Sequence, residues 1–145
     1  MSKSIEELKS LATQIRRDIL RMVHAVNSGH PGGSLGCVEY FTALYGKVMN
    51  YKFPFSMEGK GEDVFYLSNG HISPVFYSTL ARFGYFPVEE LSTFRKLNSR
   101  LQGHPTTHEH LEGIRMSSGS LGQGLSVGIG VALAKKLEGD SSLVY

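Results

Sequence analysis

Two short apolar runs rich in β-formers, Val64-Phe65-Tyr66-Leu67 and Ser142-Leu143-Val144-Tyr145, constrain this chain of 145 residues more than any other feature. Such runs mark buried strands, and helical patterns lie before and between them. That order predicts an α/β fold, a parallel sheet flanked by helices. The second run has only begun at Tyr145, so the sheet is expected to be incomplete and the chain reads as truncated or dependent on a partner. No repeat, charge block or flexible linker divides residues 1–145, which are read as one domain.

Helices fill the space around these runs. Ile5, Leu8, Ile15, Ile19, Met22 and Val26 recur at helical spacing between Ser4 and Ser28, with Ser4 and Glu7 as a capping box and Gly29 as the stop. A second helix is expected from near Ser34 through Val48. A third has Ser73 as N-cap and Pro74 as its first residue, a short one covers Val88 to Leu97, and a small-residue helix runs from Gly122 to Leu137. Residues 98–120 lack periodicity and read as a long loop, a length that is uncommon unless functional or disordered. Within the last helix Gly128 and Gly130 read as close helix packing. Gly122, Gly124 and Gly128 do not make a dinucleotide fingerprint, because the spacing is wrong and no strand precedes them.

A net charge of +2 gives no electrostatic case for a nucleic-acid or membrane partner. The lone Cys37 excludes an internal disulfide framework and a Cys-rich zinc site, and it reads as a packing residue. No stretch approaches a membrane span and SKSIEELKS lacks the apolar core of a signal peptide, so a cytoplasmic location is expected.

The six histidines and 17 glycines coincide. Gly29-His30-Pro31, Gly70-His71 and Gly103-His104-Pro105 each border a helix or strand. Glycine admits close backbone approach and a neutral imidazole offers one donor and one acceptor, so the pairing suits a polar or phosphorylated ligand. The blander reading is three surface turns. Asn69-Gly70-His71 favours a ligand, since it would stand beyond the carboxyl end of a strand, where open α/β sheets bind. Gly119, Ser120 and Leu121 precede a helix, where free N–H groups can hold a ligand by main chain alone. His104, His108 and His110 lie within seven residues, which raises a metal site, although only Glu109 and Glu112 stand near to complete it. His24, inside the first helix, reads as a partly buried structural histidine.

Taken in order, Ser28-Gly29-His30-Pro31-Gly32-Gly33-Ser34-Leu35-Gly36, Leu67-Ser68-Asn69-Gly70-His71, Gln102-Gly103-His104-Pro105 and Gly119-Ser120-Leu121-Gly122-Gln123-Gly124 resemble the N-terminal, diphosphate-binding domain of transketolases. The Gly32-Gly33-Ser34 variant is similar to split transketolases, whose N-terminal half is a separate subunit. The resemblance implies thiamine diphosphate as cofactor and transfer of a two-carbon ketol unit from a ketose phosphate to an aldose phosphate. It implies His30 and His104 at the reacting end of the sugar, His71 on the cofactor phosphates, and Gly119, Ser120 and Leu121 as main-chain positions along the cofactor.

The same resemblance implies a divalent cation, Mg2+ or Ca2+, held by a Gly-Asp-Gly motif and a later Asn that lie beyond Tyr145, so no metal ligand is assigned within the chain. The activating glutamate and the stacking aromatics are expected from a C-terminal subunit or domain. A homo- or hetero-oligomer is therefore expected, with the chain alone inactive and binding thiamine diphosphate weakly or not at all. Two other readings stay open: a non-catalytic module that pairs with a transketolase-like partner, and a metal-binding protein built on His108 and His110.

Overall fold

The structure, a computed structural model, describes residues 3–145. Helix α1 (Ile5–Val26) opens on the expected reciprocal cap, with the Glu7 N–H donating to Ser4 Oγ at 3.2 Å and the Ser4 N–H to Glu7 Oε2 at 2.7 Å. It ends at Asn27, left-handed at φ 47°, before the glycine expected to stop it, because asparagine also tolerates that conformation. His24 in its last turn is exposed, not partly buried.

Ala12, Ile15, Ile19 and Met22 form the buried stripe of α1 and pack on α4 (Ser73–Arg82), in which Ser73 through Ala81 are all buried. Asp18 stands on that seam, 4% exposed. It accepts Arg82 Nε at 2.8 Å, Arg82 Nη2 at 3.0 Å and the Ser78 hydroxyl at 2.9 Å. Removing a carboxylate from water costs several kcal/mol, which these charge-assisted bonds offset.

The second helix begins earlier than its apolar pattern suggests. Helix α2 covers Pro31–Gly36, α3 covers Val38–Ala43, and a π-helical turn continues over Leu44–Val48. Proline at the first helical position loses no hydrogen bond, so the chain is helical from Pro31 onward. Phe41, Tyr45, Phe65 and Phe76 pack with centroids 5.2 to 6.1 Å apart and join α3, the first apolar run and α4 into one core. Cys37 packs against that core, as expected.

The two apolar runs pair in parallel. Val64 N–H donates to Leu143 O at 2.9 Å, Tyr145 N–H to Val64 O at 2.9 Å and Tyr66 N–H to Tyr145 O at 3.0 Å, around a single Val64–Val144 bridge. Among the described residues no longer ladder forms. Asp63 staples the pair, accepting Leu143 N–H at 2.7 Å and Asn50 N–H at 2.9 Å.

Helix α5 (Gln123–Leu137) reaches the tail through buried Lys135, whose Nζ donates to Gly59 O, Glu62 O, Asp140 Oδ2 and Ser142 Oγ at 2.8 to 3.1 Å. Its other face is bare: Leu125, Ile129 and Leu133 are each more than half exposed. Among the described residues no helix packs on Gly128 or Gly130, contrary to the helix-packing reading within this chain: a Cβ on Gly128 would meet only Val144 at 3.8 Å and one on Gly130 nothing within 4 Å.

In place of a helix over Val88 to Leu97 there is a 3-10 turn, Val88–Thr93. The Thr93 hydroxyl bonds Glu90 O at 2.8 Å and Ser99 Oγ at 2.7 Å, and Arg95 (φ 56°) and Asn98 (φ 61°) then reverse the chain. Such local side-chain bonds compete with helix propagation. The following loop carries one further 3-10 turn, Thr107–Glu109.

Candidate functional site

The three Gly-His loops converge. His30 precedes α2, is exposed, and makes no capping hydrogen bond. His71 sits in the 3-10 turn Gly70–Ile72 that follows the first apolar run, and His104 lies in the long loop. His71 stands between the other two, edge to face with both, at ring-centroid distances of 5.1 Å to His30 and 4.7 Å to His104.

Helix α4 holds this arrangement. It starts at Ser73, with Ile72 as the cap, so the serine expected to cap the helix is free. Its hydroxyl donates instead to Gly103 O at 2.7 Å, and Tyr77 OH donates to Gln102 O at 2.9 Å. One buried helix thus follows directly on the turn of His71 and ties down the loop of His104.

Gly70 permits the third approach, since a Cβ there would lie 2.5 Å from Ser118 O and 2.7 Å from its carbonyl carbon. Gly119 comes alongside His104, where a Cβ would stand 3.7 Å from the ring. Ser120 and Leu121 continue past the histidines as an exposed lead into α5 through Gly122 at φ 93°.

His71 Nδ1 is 3.2 Å from Asn69 Oδ1. A carbonyl oxygen only accepts, so Nδ1 is the donor in this bond and Nε2 is left free to face a ligand. Burial, followed by the His71 ring, the Arg95 charge and the His30 ring, holds the His104 imidazole below its ordinary 6.5. At neutral pH it therefore presents one donor and one acceptor.

The donor set fits a polar, phosphorylated cofactor. The Ser118 hydroxyl is buried without a partner, which costs about 1–3 kcal/mol unless a ligand or water satisfies it. Among the described residues the N–H groups of Gly119, Ser120 and Leu121 have no acceptor. Neither the Ser118 orphan nor the Ser73 tether leaves a mark in the sequence, where Ser-Pro mimics a cap.

A cleft of about 360 Å³ between α1, α4 and the Val88–Thr93 turn lies elsewhere, walled by the satisfied Asp18–Arg82 pair and by Met22 and Phe94. None of the three histidine loops lines it. His108 and His110 are exposed on or beside the Thr107–Glu109 turn. Among the described residues no group of three His, Cys, Asp or Glu could hold a metal ion, and no helix is long and apolar enough to cross a membrane.

Loop imidazoles and free main-chain donors gather beyond the first run of a parallel-paired α/β domain, an arrangement suited to a polar ligand. The chain belongs to the transketolase family: residues 7–141 match its thiamine diphosphate binding domain. It is 36% identical over 143 residues to one of the apulose-4-phosphate transketolase subunits of Actinobacillus succinogenes, covering 98% of this chain and 51% of that protein. It is 36% identical to the 6-deoxy-6-sulfo-D-fructose transketolase subunit SqwG of a Clostridium species, covering 100% of this chain and 52% of that one.

Among solved structures, the transketolase of Pichia stipitis in complex with sedoheptulose-7-phosphate superposes with a TM-score of 0.79 at 40% identity, over 88% of this chain and 18% of that one. The transketolase of Leishmania mexicana gives 0.81 at 31% identity, over 93% and 20%. The chain thus spans about half the length of the subunit relatives and about a fifth of the full-length enzymes. The α/β assignment, as the N-terminal part of the thiamine-diphosphate-binding fold, is borne out by these likenesses.

Proposed function

We propose that this chain supplies the cofactor-facing half of a thiamine diphosphate site that transfers a two-carbon ketol unit from a ketose phosphate to an aldose phosphate. The observation that carries this is the convergence of His30, His71 and His104 beside the unpaired donors of residues 118–121. His71 Nε2, with the main chain of Gly119, Ser120 and Leu121, holds the cofactor. Thiamine diphosphate, when bound, supplies the nucleophilic carbon and the electron sink. His30 and His104 hydrogen-bond the sugar hydroxyls, and His104, kept neutral, accepts a proton from one of them.

The cation that offsets the diphosphate charge, Mg2+ or Ca2+, takes its ligands from outside residues 1–145. The remainder of the site comes from a C-terminal transketolase subunit or domain. Two relatives that match 98% and 100% of this chain, over about half of their own length, are named as transketolase subunits, and the bare Leu125, Ile129 and Leu133 face of α5 calls for a cover.

The test is reconstitution. The chain, mixed with a C-terminal transketolase subunit, thiamine diphosphate and Mg2+, is assayed for ketol transfer between ketose and aldose phosphates. Activity absent from either component alone supports the reading, and His30→Asn or His104→Asn should lower turnover by about 10²–10⁴. Specific assembly without any ketol transfer would favour a non-catalytic pairing module.

A further inference from the structure

The long loop is fastened on one side by α4, yet His30 and His104 come from segments with no secondary structure in common. One side chain spans the gap on the other side. Arg95 Nη1 donates to Ser28 Oγ at 2.8 Å, two residues before His30. The rest of its guanidinium lies broadside on Gly103, immediately before His104. A Cβ there would stand 2.6 Å from Nη2 and 2.8 Å from both Cζ and Nε.

The backbone beneath Arg95 is shaped for this reach. Arg95 is left-handed at φ 56°, a conformation that L side chains adopt at a cost, and its N–H is bonded to Leu101 O at 2.9 Å. The adjoining Phe94 is 1% exposed and anchors the segment in the core. The guanidinium is itself exposed at the rim of the histidine cluster, so burial does not explain its placement.

From this geometry we infer that Arg95 is a positioning residue, a clamp that sets the spacing of His30 and His104 by holding Ser28 with one nitrogen and bearing on Gly103 with its flat face. Gly103 is glycine for the same reason, since any side chain would evict the guanidinium. Lysine is no substitute, because it has neither the planar face nor the second arm. The charge has a secondary effect: with the burial of His104 and the neighbouring His71 and His30 rings, it disfavours a proton on His104. The inference rests on the assignment of His30 and His104 to the reacting end of the site, but its geometry can be tested without the cofactor.

The experiment is a pH titration of the six imidazoles by NMR in the full chain labelled with 15N-histidine, comparing wild type with Arg95→Ala, Arg95→Lys, Ser28→Ala and Gly103→Ala. Arg95→Ala should shift the His30 and His104 ring signals and raise the His104 midpoint toward 6.5, while His24, His108 and His110 stay in place. Arg95→Lys should leave the His104 midpoint low but shift both ring signals. Ser28→Ala should reproduce the His30 change alone, whereas Gly103→Ala, which evicts the guanidinium from both contacts, should shift His30 and His104 together.

A folded Arg95→Ala chain with His30 and His104 unmoved overturns the clamp, as does a shift shared equally by all six histidines. Should Arg95→Ala fail to fold, the Ser28 and Gly103 variants decide the matter by the same signals. Failure of thiamine diphosphate to bind the chain assembled with a C-terminal transketolase subunit would count against the functional reading and leave these signals untouched.

Discussion

Replacing Gly70 with alanine puts a methyl group 2.5 Å from Ser118 O and 2.7 Å from the Ser118 carbonyl carbon. An ordinary contact begins near 3.4 Å, so one strand of backbone must retreat by about 0.9 Å. A rotamer change cannot relieve this, because both obstructing atoms are main chain and the Ser118 N–H is bonded to Pro105 O at 3.0 Å. Overpacking of this kind costs about 1–3 kcal/mol. For a domain of this size that lowers Tm by roughly 3–10 °C.

The assay is thermal unfolding followed by circular dichroism, with the 15N-histidine spectrum as the local readout. His71 and His104 flank the contact on either side and should both shift. Gly130→Ala is the control, because nothing lies within 4 Å of the added methyl and a mid-helix Gly-to-Ala change stabilises by about 0.5–1 kcal/mol. An unchanged Tm together with unmoved His71 and His104 signals in Gly70→Ala would refute the reasoning that this close approach builds the site.

Asp18→Ala leaves Arg82 without its carboxylate on the α1–α4 seam and should cost about 3 kcal/mol in urea unfolding, at the low end for a broken buried pair because Arg82 keeps some exposure. Tyr77→Phe removes the bond to Gln102 O and should cost about 1 kcal/mol while shifting His104 and not His30, read in the same spectrum. The His104 value in the folded chain lies below its unfolded 6.5, so its contribution to stability is fully present above that pH and is lost as the pH falls through the folded value. The stability difference between wild type and His104→Asn, measured by urea unfolding, should therefore shift against wild type on acidification.

The Gly-His pairs at element boundaries make the candidate site legible from residue order, and the structure brings their three rings together. Parallel pairing is likewise legible in two apolar runs with helices between them, and the bridge at Val64 and Val144 falls within them. What stays hidden depends on tertiary partners. Ser73 reads as a cap because Ser-Pro starts helices, and only the position of Gly103 shows where its hydroxyl goes. The apolar pattern starts the second helix near Ser34, whereas the first helical position accepts proline and α2 begins at Pro31. The glycines of α5 suggest a partner helix, and among the described residues none packs on Gly128 or Gly130. Arg95 carries no signal at all, since its role depends on two loops that lie 67 and 8 positions away from it along the chain.

That His30, His71 and His104 face thiamine diphosphate is the claim on which the rest depends. The most direct measurement is the 15N-histidine spectrum of this chain, assembled with an unlabelled C-terminal transketolase subunit and titrated with thiamine diphosphate and Mg2+. Only the six histidines of this chain report. Saturable shifts are expected at His30, His71 and His104, with His24, His108 and His110 unmoved. Saturation of the cofactor with the first three signals stationary, or with His108 and His110 moving instead, would contradict the claim.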